Sequence, residues 1–570
     1  MSSTRWELQH TTFTQSQIEN LAGRLEISPL LARLLTQRGF ESAQAMDRYL
    51  SPGLRHLSHW KDWPAVEPAA DIICRLVDQH KKIAVWGDYD VDGISATALL
   101  ALFFKQRAQT DIIPVIPHRS WGYGLNTQKI EQLHASGVQA LITVDCGITA
   151  LKEIQRAREL GITTIVTDHH TPASSLPVAD AVVNPRILPC PAPQLAGVGV
   201  AFYLAAALNN LLPGTGLDIR NFLDLVALGT VADLVPLDEQ NRILVKNGLL
   251  LLQEAKRPGI AALKAVCDMA PAAKIGTGEI SFGLAPRLNA AGRIGDPELA
   301  FQTLVTQDSQ TAASLAKKLD ALNEQRKKLE KTTCLEAEQL AEQQQAKQGL
   351  VLYQPHWDSG IIGIVASKMV ETFYKPCLML TKDNKEIKGS GRSISQVNLY
   401  QALAECTDEL EQFGGHRLAA GLRLQADRLQ ALALAFDRAV RRQTGEQQPV
   451  RSIKIDATLP FSDIDLPLIQ ELDLMQPFGT GNRKPVFQSQ PVMIQQMRAF
   501  GKGKTKHLEL QLRSTQTKAT FQAVGWNMAA QWKDRLRQNI PYILAFRPGK
   551  SSYKGLTSIN LQLEDIKIFQ

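Results

Sequence analysis

From residue 80 onward the chain alternates short apolar runs with amphipathic stretches. KKIAVW (81–86) leads into GDYDVDG and then a helix-patterned run, ISATALLALFFKQ. The strand-like DIIPVIPHR (111–119) and an amphipathic helix ending at Gly137 come next. Strand QALITVD (139–145), helix ALKEIQRAREL (150–160) and strand ITTIVTD (162–168) follow. Strands alternating with helices predict right-handed βαβ units and a parallel sheet. In such sheets the chemistry sits at the carboxyl ends of the strands. Residues 308–346 contain few Gly or Pro, and Leu315, Leu319, Leu322 and Leu329 recur at helical spacing, which predicts one long helix or two abutting ones.

The pattern divides the chain into parts. Residues 1–70 form an irregular, helical N-terminal extension with segments such as SPLLARLLTQRG (28–39). Residues 71–305 carry the parallel α/β pattern, and 306–348 the linking helix. A second α/β domain fills 349–445. After the polar TGEQQP (444–449), residues 450–570 are β-rich, with alternating HLELQLR (507–513) and TFQAVGW (520–526). At 570 residues the chain is too long for one core, so several domains are expected.

Composition narrows the class. Hydrophobic residues at 44% and charged residues at 21% match an ordinary globular protein. No apolar run approaches the roughly 18 residues of a membrane span, and MSSTRWELQH lacks an apolar signal core. The seven scattered cysteines form no C-x-x-C pair, which argues against a disulfide framework and a cysteine zinc site. A cytoplasmic protein without a membrane partner is expected. Net charge is only +7, yet 14 Lys and Arg face two acids, Glu509 and Asp534, between Arg483 and Lys554. That concentration suggests a polyanion partner.

Four groups of acids and histidines occupy one kind of place, the end of an apolar strand or helix. They are Asp88, Asp90 and Asp92 in GDYDVDG; Asp145 in ITVDCG; Asp168, His169 and His170 in IVTDHH; and Asp233 in LVALGTVADLVPL. Ionised carboxylates at such positions are costly unless compensated. A divalent cation is the natural compensator, and a carboxylate–imidazole set without thiolates suits Mn²⁺ or Mg²⁺ better than structural zinc. The D-x-D-x-D-G run resembles an EF-hand loop, but the twelfth residue from Asp88 is Leu99, where that loop needs a glutamate. DVDGIS also resembles the opening motif of haloacid-dehalogenase phosphatases, but no matching downstream set is present.

DYDVDG, VDCG, DHH and ADLVPL, in this order, resemble the four motifs of the DHH phosphoesterase family. GLAPRLNAAGR (283–293) is similar to a further element of that family. HWDSGIIGIVASK (356–368), KGSGRS (388–393) and GGHRLAAG (414–421) resemble its DHHA1 companion lobe. PFGTGNRKPVF (477–487) resembles the segment that opens the oligonucleotide-binding (OB) fold of the family's single-strand exonucleases. The resemblance implies an α/β fold: a parallel-sheet DHH domain, a long linking helix, a second α/β DHHA1 domain and a C-terminal β-barrel (OB-fold). It also implies a metal-dependent exonuclease of single-stranded DNA that works from 5′ to 3′, releases nucleoside 5′-monophosphates and acts in DNA repair and recombination. A monomer cooperating with a single-stranded-DNA-binding protein is the implied assembly.

Carried over residue by residue, the resemblance implies that Asp90, Asp92, Asp145, His169 and Asp233 hold two divalent ions, Mg²⁺ or Mn²⁺. Asp88 and His170 are then neighbouring positioning or acid–base groups. On the second lobe Gly414, Gly415 and His416, with Ser390 and Arg392 on a Gly-rich loop, are candidate phosphate binders. Arg119, Arg287 and Arg293 are further candidates on the first lobe. In the basic region Lys502, Lys504 and Lys506 flank an alternating strand. Phe500, Trp526, Tyr542 and Tyr553 are candidate stacking platforms, although alternation buries every second barrel residue and assigns Trp526 and Phe521 to the core. Two other functions fit parts of the pattern: a DHH phosphodiesterase of short oligonucleotides or cyclic dinucleotides, and a non-catalytic DNA-binding scaffold.

Overall fold

A computed structural model describes residues 4–122, 124–187, 189–501, 506–553 and 556–569. The chain folds into two compact units. The larger contains residues 58–235 and 244–449, and the smaller contains 1–57, 236–243 and 450–570.

The larger unit begins with an all-parallel five-stranded sheet, in the order Ile113–Val115, Ile83–Trp86, Ala140–Thr143, Thr163–Thr167 and Ala181–Val183. Strands Ile83–Trp86 and Ala140–Thr143 are buried at every position, which explains why they read as continuous apolar runs rather than alternating ones. The chain runs from the Ile83 strand outward to the Ile113 strand, then returns to the Ala140 strand on the other side. The strand order therefore reverses between Ile83–Trp86 and Ala140–Thr143, where α/β sheets open a ligand crevice beyond the strand ends. Asp88 and Asp145 each follow one of these two strands. Helices Val91–Phe103, Gly197–Leu211 and Leu223–Ala232 are buried almost all round. Nearly unbroken apolar sequence is what such internal helices need.

One helix, Ser309–Glu342, fills the predicted linking segment, capped by the Asp308 carboxylate on the Thr311 N–H. It leads to a mixed five-stranded sheet ordered Gln412–Gly415, Ala419–Gln425, Glu386–Arg392, Cys377–Asp383 and Leu350–Tyr353. Here KGSGRS departs from the loop expected of it, because Lys388 to Arg392 lie within a paired strand. The reason is packing. Gly389 and Gly391 point at the buried face, where a Cβ on Gly389 would come within 2.3 Å of Leu380. The alternation that results places Lys388, Ser390 and Arg392 together on the opposite face.

The smaller unit holds a seven-stranded barrel sheet that closes through pairing of Leu556–Ile568 with both Thr520–Gly525 and Tyr542–Tyr553. The first 57 residues are built into this unit. Strand Arg5–Leu8 pairs in parallel with Ser452–Ile455, and Leu31, Leu34, Leu35 and Met46 share one core with Phe487, Leu510 and Phe546. Three helices of 11, 9 and 8 residues cannot bury a core of their own. Among the described residues, no helix is long and apolar enough to cross a membrane.

Candidate active site

At the switch point of the parallel sheet, the four acidic segments converge. Ligand atoms of Asp88, Asp90 and Asp145 lie within 4.8 Å of one another, as do those of Asp92, His169 and Asp233, and those of Asp145, His169 and His170. His169 Nε2 is 3.1 Å from Asp145 Oδ1, 3.6 Å from Asp233 Oδ2 and 3.9 Å from Asp92 Oδ2. Yet His169 Nε2, Asp145 Oδ1 and Asp88 Oδ1 are buried with no hydrogen-bond partner among the described residues. Buried polar atoms are normally paired. Unpaired carboxylate and imidazole atoms gathered this closely are the arrangement that divalent cations complete, so the residues fit the implied ions. Asp88, expected beside the ligands, brings a carboxylate oxygen into the same group as Asp90 and Asp145.

Backbone amides hold Asp90 and Asp92. Asp90 Oδ1 caps the helix Val91–Phe103, accepting from the Asp92 and Gly93 N–H groups. Asp92 is clamped by the N-terminus of Gly197–Leu211, where the N–H of Gly197 (2.6 Å) and of Val198 (2.9 Å) donate to its two oxygens. Only glycine fits at 197, because a Cβ there would lie 2.5 Å from that of Asp145. Sequence reasoning missed this clamp; its one signal was a pair of glycines opening an otherwise apolar helix.

The electrostatics follow from burial. Desolvation, then the charge of Asp90, raises Asp92 to about 7. Desolvation, then Asp92 and Asp90, raises Asp233 to about 9. Asp88 and Asp145 are also pushed well up, chiefly by burial. Burial lowers His169 to about 3, aided by His170, so its ring is neutral and able to act as a ligand. His170 behaves oppositely. Burial pulls it down, but its 2.7 Å hydrogen bond to Asp168 and that residue's charge lift it to about 9. Asp168 also accepts from the N–H groups of Ile148, His169 and His170, so it works as a fixed support for the DHH turn.

A cavity of about 680 Å³ lies between the two lobes of the larger unit, and its lining includes Tyr89, Arg119, Arg293, Lys388, Ser390 and Arg392, together with Gly414 and Arg423. Arg119 stacks on the Tyr89 ring at 4.8 Å, and Arg293 reaches across to the carbonyl of Gly360. Arg392 donates to Ser390 Oγ at 3.1 Å. Both side chains sit against the first turn of helix Ile362–Phe373, where a Cβ on Gly363 would be 3.0 Å from Ser390 Oγ. Lys388 and Arg423 were not foreseen, although Lys388 was visible as the third outward residue of the strand.

Four expectations are corrected here. Arg287 does not reach the cleft, because its guanidinium is consumed by Asp320 and by the carbonyls of Gly283 and Val266. Gly414 and Gly415 belong to a strand paired with Ala419–Gln425 rather than a free loop. His416 is exposed on the turn that follows. On the barrel, Tyr542 is fully buried with its hydroxyl accepting from the Arg537 N–H, so it is core. Trp526, assigned to the core by alternation, is 54% exposed because it lies just past the end of its strand. It forms an edge-packed cluster with Phe500 and His507. Phe521 packs on Phe461 at the edge of the core. Lys506 is exposed; Lys502 and Lys504 lie outside the described residues, as does the Tyr553 side chain.

Comparison with known proteins agrees with this architecture. Residues 82–230 match the DHH family N-terminal domain, 346–442 the DHHA1 domain and 455–565 the RecJ OB domain. The chain is 35% identical over 566 residues to the single-stranded-DNA-specific exonuclease RecJ of Escherichia coli, covering 95% of this chain and 96% of that one. It is 37% identical over 541 residues to RecJ of Bacillus subtilis, covering 92% of this chain and 66% of that one. The crystal structure of RecJ from Thermus thermophilus in complex with Mn²⁺ superimposes with a TM-score of 0.85 at 29% identity, covering 99% of this chain and 79% of that one. Shared sequence along nearly its whole length, together with this fold and site, shows that the chain belongs to the RecJ family of single-stranded-DNA-specific exonucleases.

Proposed function

We propose that the protein digests single-stranded DNA from the 5′ end, with two Mn²⁺ or Mg²⁺ ions at the acid cluster, and releases nucleoside 5′-monophosphates. The observation that carries this reading is the convergence of unpaired buried ligand atoms at the sheet's switch point, next in sequence to Tyr89, which lines a cationic cleft. Asp92, His169 and Asp233 group around one position and Asp88, Asp90 and Asp145 around a second. When bound, the ions supply a nucleophilic water oxygen at neutral pH and neutralise charge on the departing oxygen. Water attacks the phosphorus between the first two nucleotides, and its bond to the 3′ oxygen of the first nucleotide breaks. His170, held protonated by Asp168, faces the cluster as a proton donor or phosphate ligand.

The second lobe fixes the register of the strand. Arg392, Ser390 and the first turn of Ile362–Phe373 form a pocket suited to a dianionic 5′ phosphate, which sets the first internucleotide bond over the metal centre. Arg119, Arg293 and Lys388 take the following phosphates. The exposed cations and the Trp526 cluster of the barrel supply further contacts to single-stranded DNA. We further assign the protein to the cytoplasm and to DNA repair and recombination, as a monomer that cooperates with a single-stranded-DNA-binding protein. Kinetics on matched strands test the register. Arg392→Ala should raise KM for 5′-phosphorylated ends about 10- to 100-fold, as expected for hydrogen bonds to a charged group worth about 1.5–3 kcal/mol, and should affect 5′-hydroxyl ends less. An equal loss on both removes the end pocket. Faster hydrolysis of a dinucleotide than of a long strand would favour a short-oligonucleotide phosphodiesterase instead.

A further inference from the structure

Five tryptophans belong to the larger unit. Trp60, Trp63, Trp86 and Trp357 are buried, whereas Trp121 is 40% exposed. Leaving so large an apolar ring in water forgoes the burial that usually makes tryptophan useful to a fold. A single exposed apolar residue is ordinary on a protein surface, so its setting decides what it does.

Trp121 ends the short helical turn Arg119–Trp121, which follows strand Ile113–Val115 on the carboxyl-end side of the parallel sheet. The Trp121 N–H donates to the His118 carbonyl at 2.9 Å and the Gly122 N–H to the Arg119 carbonyl at 3.2 Å. Gly122, at φ +94°, then leads the chain out of the turn in a conformation that only glycine adopts freely. The other end of the turn is tied down by Arg119, whose guanidinium lies over the Tyr89 ring between Asp88 and Asp90 in the chain. Arg119 and Gly122 both line the 680 Å³ cleft, and both also line a neighbouring cavity of about 460 Å³ that shares Arg293, Lys388 and Arg423 with it. Trp121 sits between these two lining residues in the chain and lines neither cavity, which puts its ring at their rim. The ring is held in place there. The His118 ring packs against it at 5.5 Å and 53°, and Lys129 Nζ lies 5.7 Å from its centroid.

We infer that Trp121 is a nucleobase platform at the rim of the cleft, stacking on one base of the single strand whose phosphates Arg119 and its cationic neighbours take. A strand drawn in by its phosphates still carries apolar base faces that need cover, and an exposed ring beside the cations supplies it. Lys129, beside the ring, neutralises a phosphate of the same nucleotide or the next. The platform role rests on the reading of the cleft as the path of the strand. Its test is single-turnover release of the first nucleotide from 5′-labelled single strands by the full-length protein in Mn²⁺, with the half-saturating enzyme concentration as the measure of affinity. Wild type, Trp121→Ala, Trp121→Phe and Arg119→Ala are compared on an intact strand and on strands carrying one abasic residue at successive positions. Trp121→Ala should raise the half-saturating concentration about 5- to 150-fold, the worth of one base stacked on an aromatic face, and leave the saturating rate unchanged. Trp121→Phe, which keeps a ring, should retain most of the affinity. In wild type one abasic position should cost about as much as Trp121→Ala, and that strand should cost Trp121→Ala nothing further, because platform and base are then two halves of one contact. Wild-type affinity in folded Trp121→Ala overturns the platform, provided Arg119→Ala has lost affinity. So does an abasic scan of wild type with no costly position, or losses that simply add to that of Trp121→Ala at every position. Undiminished affinity in Arg119→Ala would instead remove the reading of the cleft, and the platform with it.

Discussion

The acid cluster and the outer face of the barrel are both charged, but charge does different work in each. In the cluster, Asp88, Asp92, Asp145 and His169 are almost wholly buried, and their oxygens and nitrogens are either clamped by backbone N–H groups or left unpaired toward one another. On the barrel, Arg498 is 72% exposed and already paired with Glu509, which also accepts from Gln522. Buried like charges cost free energy that protonation or a bound cation must offset, so each residue's type and place are dictated. Exposed cations contribute by number, through release of counterions from the strand, so any one of them is replaceable.

Breaking the cluster should have the largest effect. Asp145→Ala or Asp233→Ala should lower nuclease activity by about 10³-fold or more, because the lost metal contribution amounts to several kcal/mol of transition-state stabilisation. A chelator should do the same to the wild type. The metal-free melting temperature of these variants should not fall, since each removes a carboxylate whose ionised form burial and neighbouring acids disfavour. Circular dichroism melts in chelator check this.

The barrel should answer differently to its two kinds of aromatic residue. Tyr542→Ala should destabilise the smaller unit by about 3–5 kcal/mol, the cost of emptying a buried aromatic site. Trp526→Ala should leave stability nearly unchanged while weakening long single strands by about 1–3 kcal/mol, the value of one base stacked on an aromatic face. Fluorescence anisotropy beside thermal melts separates the two. Comparable losses of affinity in both variants would show that the exposed cluster is not a platform.

The smallest effect is a pH dependence that sharpens the contrast. Carboxylates raised in the folded state contribute stability that is present below the ordinary carboxylate range and lost as pH rises through their folded values. These are about 7 for Asp92 and about 9 for Asp233. The metal-free protein should therefore lose stability steadily from pH 5 to 9. Mn²⁺ binds the ionised forms, so the rise in melting temperature it produces should grow over the same range. A rise that is constant with pH would mean that the ions bind elsewhere.

The acid cluster was legible because DYDVDG, VDCG, DHH and ADLVPL place acids and histidines at the ends of apolar elements, and the fold brings those ends together. The parallel sheet was legible for a related reason, since unbroken apolar strands alternating with helices admit few arrangements. What escaped was decided by long-range packing. KGSGRS reads as a loop until Leu378, Leu380 and Leu422 are seen to require glycines on one face of a strand. Arg287 is as cationic as Arg293, and Asp320 with the carbonyls of Gly283 and Val266 diverts it. Residues 1–57 carry no mark of the core they share with residues 457–566.

The account stands most directly on a time course with 5′-labelled single-stranded DNA, resolved by size, in Mn²⁺, in Mg²⁺ and in excess chelator. It predicts that labelled mononucleotide is the first and only labelled product, that either cation supports its release, and that the chelator or Asp145→Ala abolishes it. A descending ladder of labelled intermediates would place digestion at the 3′ end, and undiminished release in chelator would contradict the metal centre.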